Sequence, residues 1–91
     1  MALKRIKIKV FGDVQGVFFR YFAKEKARQF GLTGWVKNLE DGTVEMEAEG
    51  EEEKLKKFID WCYIGSPAAK VEKTEVEWRE AEGKFQAFTI Q

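Results

Sequence analysis

Arg20 closes the run Val10-Phe-Gly-Asp-Val-Gln-Gly-Val-Phe-Phe-Arg20, which carries glycines at positions 12 and 16. The residues before this run alternate as a strand does, and the apolar residues after it fall at helical spacing. A glycine-bearing loop that feeds a helix leaves several backbone N–H groups unpaired, which suits an anion. Arginine adds a planar guanidinium that can grip two oxygens of a phosphate or carboxylate at once. In the first helical turn that cation opposes the macrodipole at a cost of up to ~1 kcal/mol. A bound anion would offset the cost. On spacing alone, a tight turn with a solvated arginine and an anion cradle are equally open readings.

Asn38 is the second residue of interest, because this chain otherwise avoids asparagine. A carboxamide both donates and accepts, so it can join the arginine and the loop amides in one polar site; it can equally be a polar residue next to a turn. The chain has no histidine, one serine (Ser66) and one cysteine (Cys62). Ser–His and Cys–His nucleophile pairs are therefore excluded, as is a zinc site of Cys/His type. No metal and no cofactor are expected.

These residues must be positioned by the elements around them. Lys4 to Phe11 places Ile6, Ile8 and Val10 on one face and Arg5, Lys7 and Lys9 on the other, a strand with one buried face. Phe19, Phe22, Ala23, Ala27 and Phe30 mark an amphipathic helix over 19–30, with Gly31 as its C′ residue. The aromatic stripe reads as core. Leu32 to Leu39 is a second strand, Asp41-Gly42 a hairpin turn, and Thr43 to Glu49 a third strand with Val44, Met46 and Ala48 inward. Glu51 to Glu53 put carboxylates at the start of a second helix, where the dipole favours them. Its inner face carries Leu55, Phe58, Ile59 and Cys62, so Cys62 reads as a small core residue.

Gly65-Ser-Pro67 stops that helix. Val71 to Trp78 alternates imperfectly, which predicts a bulge or an edge strand, and Phe85 to Ile90 supplies a short last strand. The order βαββαβ, with right-handed crossovers, predicts an α+β ferredoxin-like sandwich. Its antiparallel sheet carries both helices on one face, plus a short C-terminal strand. The first strand then lies beside the third, and Arg5, Lys7 and Lys9 face Glu45, Glu47 and Glu49 across a solvated outer face.

Ninety-one residues suit a single domain, expected over 1–91. Sixteen basic residues balance sixteen acidic ones, so no general polyanion or membrane-surface binding is expected. Apolar runs are too short to span a bilayer, Met-Ala-Leu-Lys-Arg is not a signal peptide, and a lone cysteine fits the reducing cytoplasm. The 35% charged content, rich in Lys and Glu, leans towards a thermostable protein.

Val10-x-Gly12-x-Val14-Gln15-Gly16-Val17-x-Phe19-Arg20 resembles the first signature of the acylphosphatase family. Gly34-Trp35-Val36-Lys37-Asn38, followed by Gly42-x-Val44 and Gly50, resembles the second. Trp61, Gly65-Ser-Pro67, Ala69 and Val71 resemble the family's second helix and the loop after it. The resemblance implies hydrolysis of acyl phosphates to a carboxylate and orthophosphate. It also implies that Arg20 and the loop amides bind phosphate while Asn38 orients the attacking water, without metal or phosphoenzyme. The amides concerned run through Gln15, Gly16, Val17, Phe18, Phe19 and Arg20. Gln15 is expected to shape the loop through its side chain, Gly12 to permit the turn, and Thr43 to fix Asn38.

Two other readings use the same fold. A non-catalytic phosphate-binding or regulatory ferredoxin-like domain would share the Arg20 loop and lack turnover. An RNA-binding module would show aromatics on its central strands, where this chain shows Lys/Arg and Glu. No nucleic-acid partner is expected, and the protein is expected to be a monomer or small homo-oligomer.

Overall fold

The computed structural model describes residues 2–91. The chain runs β1 (Leu3–Asp13), α1 (Phe19–Gln29), β2 (Thr33–Asn38), β3 (Val44–Glu51), α2 (Glu52–Ile64), β4 (Lys70–Glu80) and β5 (Phe88–Ile90). The sheet order is β4-β1-β3-β2-β5. β1 pairs antiparallel with both β3 and β4, and β2 pairs antiparallel with β3. β5 adds to β2 in parallel, so the complete sheet is mixed: an antiparallel four-stranded ferredoxin-like core with one parallel strand at its edge.

Strand periodicity dictates the core. Ile6, Ile8 and Val10 of β1 and Val44, Met46 and Ala48 of β3 are wholly buried on the face that carries the helices. α1 contributes Phe19, Ala23 and Ala27; α2 contributes Leu55, Phe58, Trp61 and Cys62. Phe19, Phe58, Trp61 and Phe88 form one aromatic cluster, with ring centroids 5.2 Å apart for Phe19–Trp61, 6.1 Å for Phe58–Trp61 and 5.9 Å for Phe58–Phe88. Burial alone pushes the Cys62 thiol far above its ordinary pKa, so it is packing and not a nucleophile.

Gly31 ends α1 as its type predicts. At φ 69° it donates to the Arg28 carbonyl at 3.0 Å, and Leu32 donates to that of Ala27 at 2.8 Å, a Schellman motif. β4 is an edge strand and also carries a bulge: Phe11 pairs with Lys73 but Gly12 with Val71, leaving Glu72 as the extra residue.

The outer face departs from expectation. Directly opposite partners are Arg5–Glu49, Lys7–Glu47 and Lys9–Glu45, as the alternation predicts. Yet the end of this face around Arg5 is not solvated. β4 and β5 lie at opposite edges of the sheet, so residues 81–87 have to cross it, and they do so over Arg5. The Arg5 side chain is 12% exposed; it contacts Glu47, pairs with Glu82 at 2.8 Å and sits 5.0 Å from the Phe85 ring. Glu49 accepts the backbone N–H groups of Glu82 at 2.8 Å and Gly83 at 3.0 Å. Lys7 and Lys9 stay partly exposed and pair more loosely, with Glu45 at 3.7 Å and Asp41 at 3.0 Å.

Candidate active site

The loop of residues 14–18 leaves β1 and enters α1 at one end of the sheet. Val14 and Phe19, each 1% exposed, plug its two ends into the core. Between them the backbone takes two positive-φ positions, Gly16 at 74° and Phe18 at 62°. Gly16 meets that demand without a Cβ. Phe18 does not: a bulky residue in the left-handed region is a strained position of the kind that clusters at ligand sites. Phe18 is the N-cap of α1, with no side-chain cap and no acidic residue in the first turn. The first intrahelical bond runs from Phe22 to the Phe18 carbonyl at 3.1 Å. Among the described residues, the N–H groups from Gln15 to Arg20 have no protein acceptor.

Three side chains hold this loop. Gln15 Nε2 donates to the carbonyls of Leu39 at 2.7 Å and Thr43 at 2.9 Å, tying the loop to both sides of the β2–β3 turn. Ser66 Oγ, in a residue 2% exposed, donates to the Val17 carbonyl at 2.7 Å. A trans peptide carries its N–H opposite its C=O. Anchoring the Val17 carbonyl therefore aims the Phe18 N–H away from Ser66. The ring of Phe19, fixed against Trp61, is the third anchor.

Asn38 reaches the same place by parity. It lies two residues beyond Val36, which is wholly buried on the helix face, so its side chain also points to that face at the strand's end. Among the described residues Asn38 Oδ1 is buried with no donor, which leaves the Nδ2 end as the group able to meet a ligand. Arg20 Nη1 donates to the Gln91 carbonyl at 3.2 Å, and Gln91 N–H in turn donates to the Val36 carbonyl at 2.8 Å. Among the described residues no Asp or Glu carboxylate pairs with Arg20.

A cleft of about 280 Å³ brings Gly16, Arg20 and Asn38 together. Phe18, Tyr21 and Ile90 form the rest of its mouth, and Arg20 is the sole formal charge among its described lining residues. Such a cleft can take a compact anion with an apolar substituent. Phosphoryl transfer needs this kind of positioning and charge stabilisation and little covalent work from the protein.

Two expectations change. Gly12 does not make the turn: it sits inside β1 with φ 129°, where a Cβ would collide with the Lys70 carbonyl at the β4 bulge. Its role is the close approach of two strands. Among the described residues, no hydrogen bond joins Thr43 to Asn38. Its N–H and hydroxyl both donate to Asp41, and its carbonyl serves Gln15. Sequence reasoning missed Ser66 as a loop anchor; its being the only serine, just past a helix stop, was the available signal. Gln91 at Arg20 had no signal at all.

Known proteins resemble this chain over nearly its whole length. The family model described as acylphosphatase matches residues 6–90. An acylphosphatase of Shewanella amazonensis is 48% identical over 88 residues, covering 97% of each chain. One of Pelotomaculum thermopropionicum is 43% identical over 90 residues, covering 99% of this chain and 98% of its own. The crystal structure of acylphosphatase from Bacillus subtilis superposes with a TM-score of 0.93 at 42% identity, covering 98% of both chains. With likeness of this extent in sequence and structure, running through both the Arg20 loop and the Asn38 strand, the chain belongs to the acylphosphatase family.

Proposed function

We propose that residues 1–91 form one acylphosphatase domain that hydrolyses acyl phosphates to a carboxylate and orthophosphate, with Arg20 and the amides of Gln15 to Arg20 holding the phosphoryl group. The observation that carries this reading is the run of amides that, among the described residues, have no protein acceptor, beside a guanidinium with no Asp or Glu partner there. Asn38 orients the nucleophile: its Nδ2–H donates to a water oxygen, which keeps a lone pair free to attack phosphorus. The P–O bond to the acyl group breaks, and its electron pair leaves on the carboxylate. Carboxylates are weak bases, so the leaving group needs no proton. The water's protons pass to phosphate oxygens and solvent. A chain without histidine can therefore do this chemistry.

The non-catalytic alternative is not favoured, because relatives named as acylphosphatases match nearly the whole chain. We place the protein in the cytoplasm as a monomer or small homo-oligomer, on its lone buried cysteine and balanced charge. Nucleic acid is not among its partners in this reading, since the outer sheet face pairs Lys/Arg with Glu. No helix among the described residues is long and apolar enough to cross a membrane.

The deciding experiment is turnover of benzoyl phosphate and acetyl phosphate, with orthophosphate tested as a competitive inhibitor. Arg20→Ala is expected to lose both turnover and phosphate inhibition. Hydrolysis at the wild-type rate by that variant would sink the assignment.

A further inference from the structure

Phe18 is costly twice over. Its ring is 76% exposed, and its backbone takes a conformation that Gly, Asn or Asp adopts far more readily. It is not alone. Seven large apolar side chains are exposed on the described surface, and three of them, Phe18, Tyr21 (53%) and Ile90 (41%), border the one cleft that holds Arg20 and Asn38. They converge from separate elements. Phe18 and Tyr21 are three residues apart at the start of α1, which puts them on one side of its first turn. Ile90 ends β5 on the same face as the buried Phe88, the face that carries α1. The Tyr21 ring is steadied edge-on against Phe22, with centroids 5.3 Å apart.

We infer that Phe18, Tyr21 and Ile90 form an acyl-group subsite, so that the preferred substrates are acyl phosphates with an aromatic or branched aliphatic acyl group. The inference rests on the phosphate reading of Arg20 and the loop amides. With phosphate held there, the acyl carbon is one bridging oxygen away and must lie at the cleft mouth. That mouth offers apolar surface and, Arg20 apart, no charged lining residue among those described. An acyl group that carries a second carboxylate or phosphate finds no second cation there. An acetyl or carbamoyl group is too small to cover the three side chains. A flat or branched apolar group buries them, and apolar burial is the interaction the mouth can supply.

The test compares kcat/KM for benzoyl phosphate and acetyl phosphate across three proteins: wild type, the double variant Tyr21→Gln/Ile90→Thr, and Phe18→Asn, whose new residue tolerates φ 62°. Intrinsic reactivity differs between the two substrates, so the readout is the change in their ratio from protein to protein. The benzoyl-to-acetyl ratio is expected to fall about tenfold in each variant, equivalent to about 1.4 kcal/mol. In the double variant the orthophosphate inhibition constant is expected to stay within about twofold, which separates loss of the subsite from damage to the phosphate loop. A ratio unchanged within twofold in a folded double variant overturns the subsite and leaves the hydrolase reading standing. Hydrolysis of neither compound by the wild type overturns the hydrolase reading, and the subsite with it.

Discussion

Asn38→Ala should separate stability from turnover, and the size of each effect follows from where the carboxamide sits. Its Oδ1 is buried without a donor among the described residues, and an unpaired buried acceptor costs about 1–3 kcal/mol. Alanine removes that atom and the cost with it. The substitution also gives up packing of a side chain that is only partly buried, roughly 0.5–1 kcal/mol. The balance is a gain of about 1 kcal/mol, which raises Tm by roughly 4–8 °C in a domain of this size. Turnover should move the other way. A water left to find its own approach to phosphorus costs a factor on the order of 10², or ~2.7 kcal/mol of barrier. Phosphate affinity should hold, because Arg20 and the loop amides remain. Calorimetric melting, orthophosphate inhibition and kcat on benzoyl phosphate, measured on one preparation, test all three. A variant that melts several degrees lower would show Asn38 to be a structural residue. One that turns over at the wild-type rate would remove it from the chemistry.

Arg20→Lys keeps the charge but loses the planar two-point grip, and orthophosphate inhibition should weaken by roughly tenfold or more; unchanged inhibition would mean that charge alone suffices. Ser66→Ala removes the bond to the Val17 carbonyl and should cost about 1–3 kcal/mol of stability, with a rise in KM larger than the fall in kcat; an unmoved KM would make Ser66 a folding residue only. Thr43, first through its hydroxyl and then its N–H, and Lys9 after it hold the Asp41 carboxyl at a pKa of about 2. Because the folded value lies below the ordinary 3.8, this contribution to stability is present above pH ~4 and disappears as pH falls through about 2. The stability difference between wild type and Asp41→Asn should therefore shrink between pH 5 and pH 2; a constant difference would contradict the pairing. Activity should survive treatment with EDTA, and its loss on chelation with recovery on adding a divalent cation would point to metal-assisted hydrolysis.

Much of the fold was legible because alternation in β1 and β3 and helical spacing in α1 and α2 are strong local signals, and βαββαβ order admits few topologies. The second strand, read over Leu32 to Leu39, already carried Asn38 near its end, and Gly31 announced the end of α1. What was not legible depends on partners distant in sequence. The Ser66–Val17 bond spans 49 residues, and the Arg20–Gln91 bond spans 71. Gly12 was misread because a glycine beside a loop looks like a turn residue, whereas its requirement comes from the backbone of β4. Phe18 gave no warning, since phenylalanine is the wrong residue type to suggest a left-handed backbone. The burial of Arg5 was missed for a topological reason: the placement of β5 at the edge opposite β4 makes residues 81–87 cross the outer face.

That crossing has a consequence for heat. Arg5, Glu47, Glu49 and Glu82 form an ion-pair group largely shielded from solvent, apart from the half-exposed Glu82. Added salt should screen it far less than the exposed pairs of α2. The hydration that its charges give up is worth less as temperature rises, while apolar burial gains little more, so its share of the total stabilisation grows on warming. Residues 81–87 are thus clamped by an interaction whose relative weight rises on warming. They deliver β5, and with it Ile90 and the Gln91 carbonyl that meets Arg20, to the edge of the sheet. A charge cluster on the face away from the helices therefore helps to hold the wall of the cleft, and its relative share of that hold grows on warming.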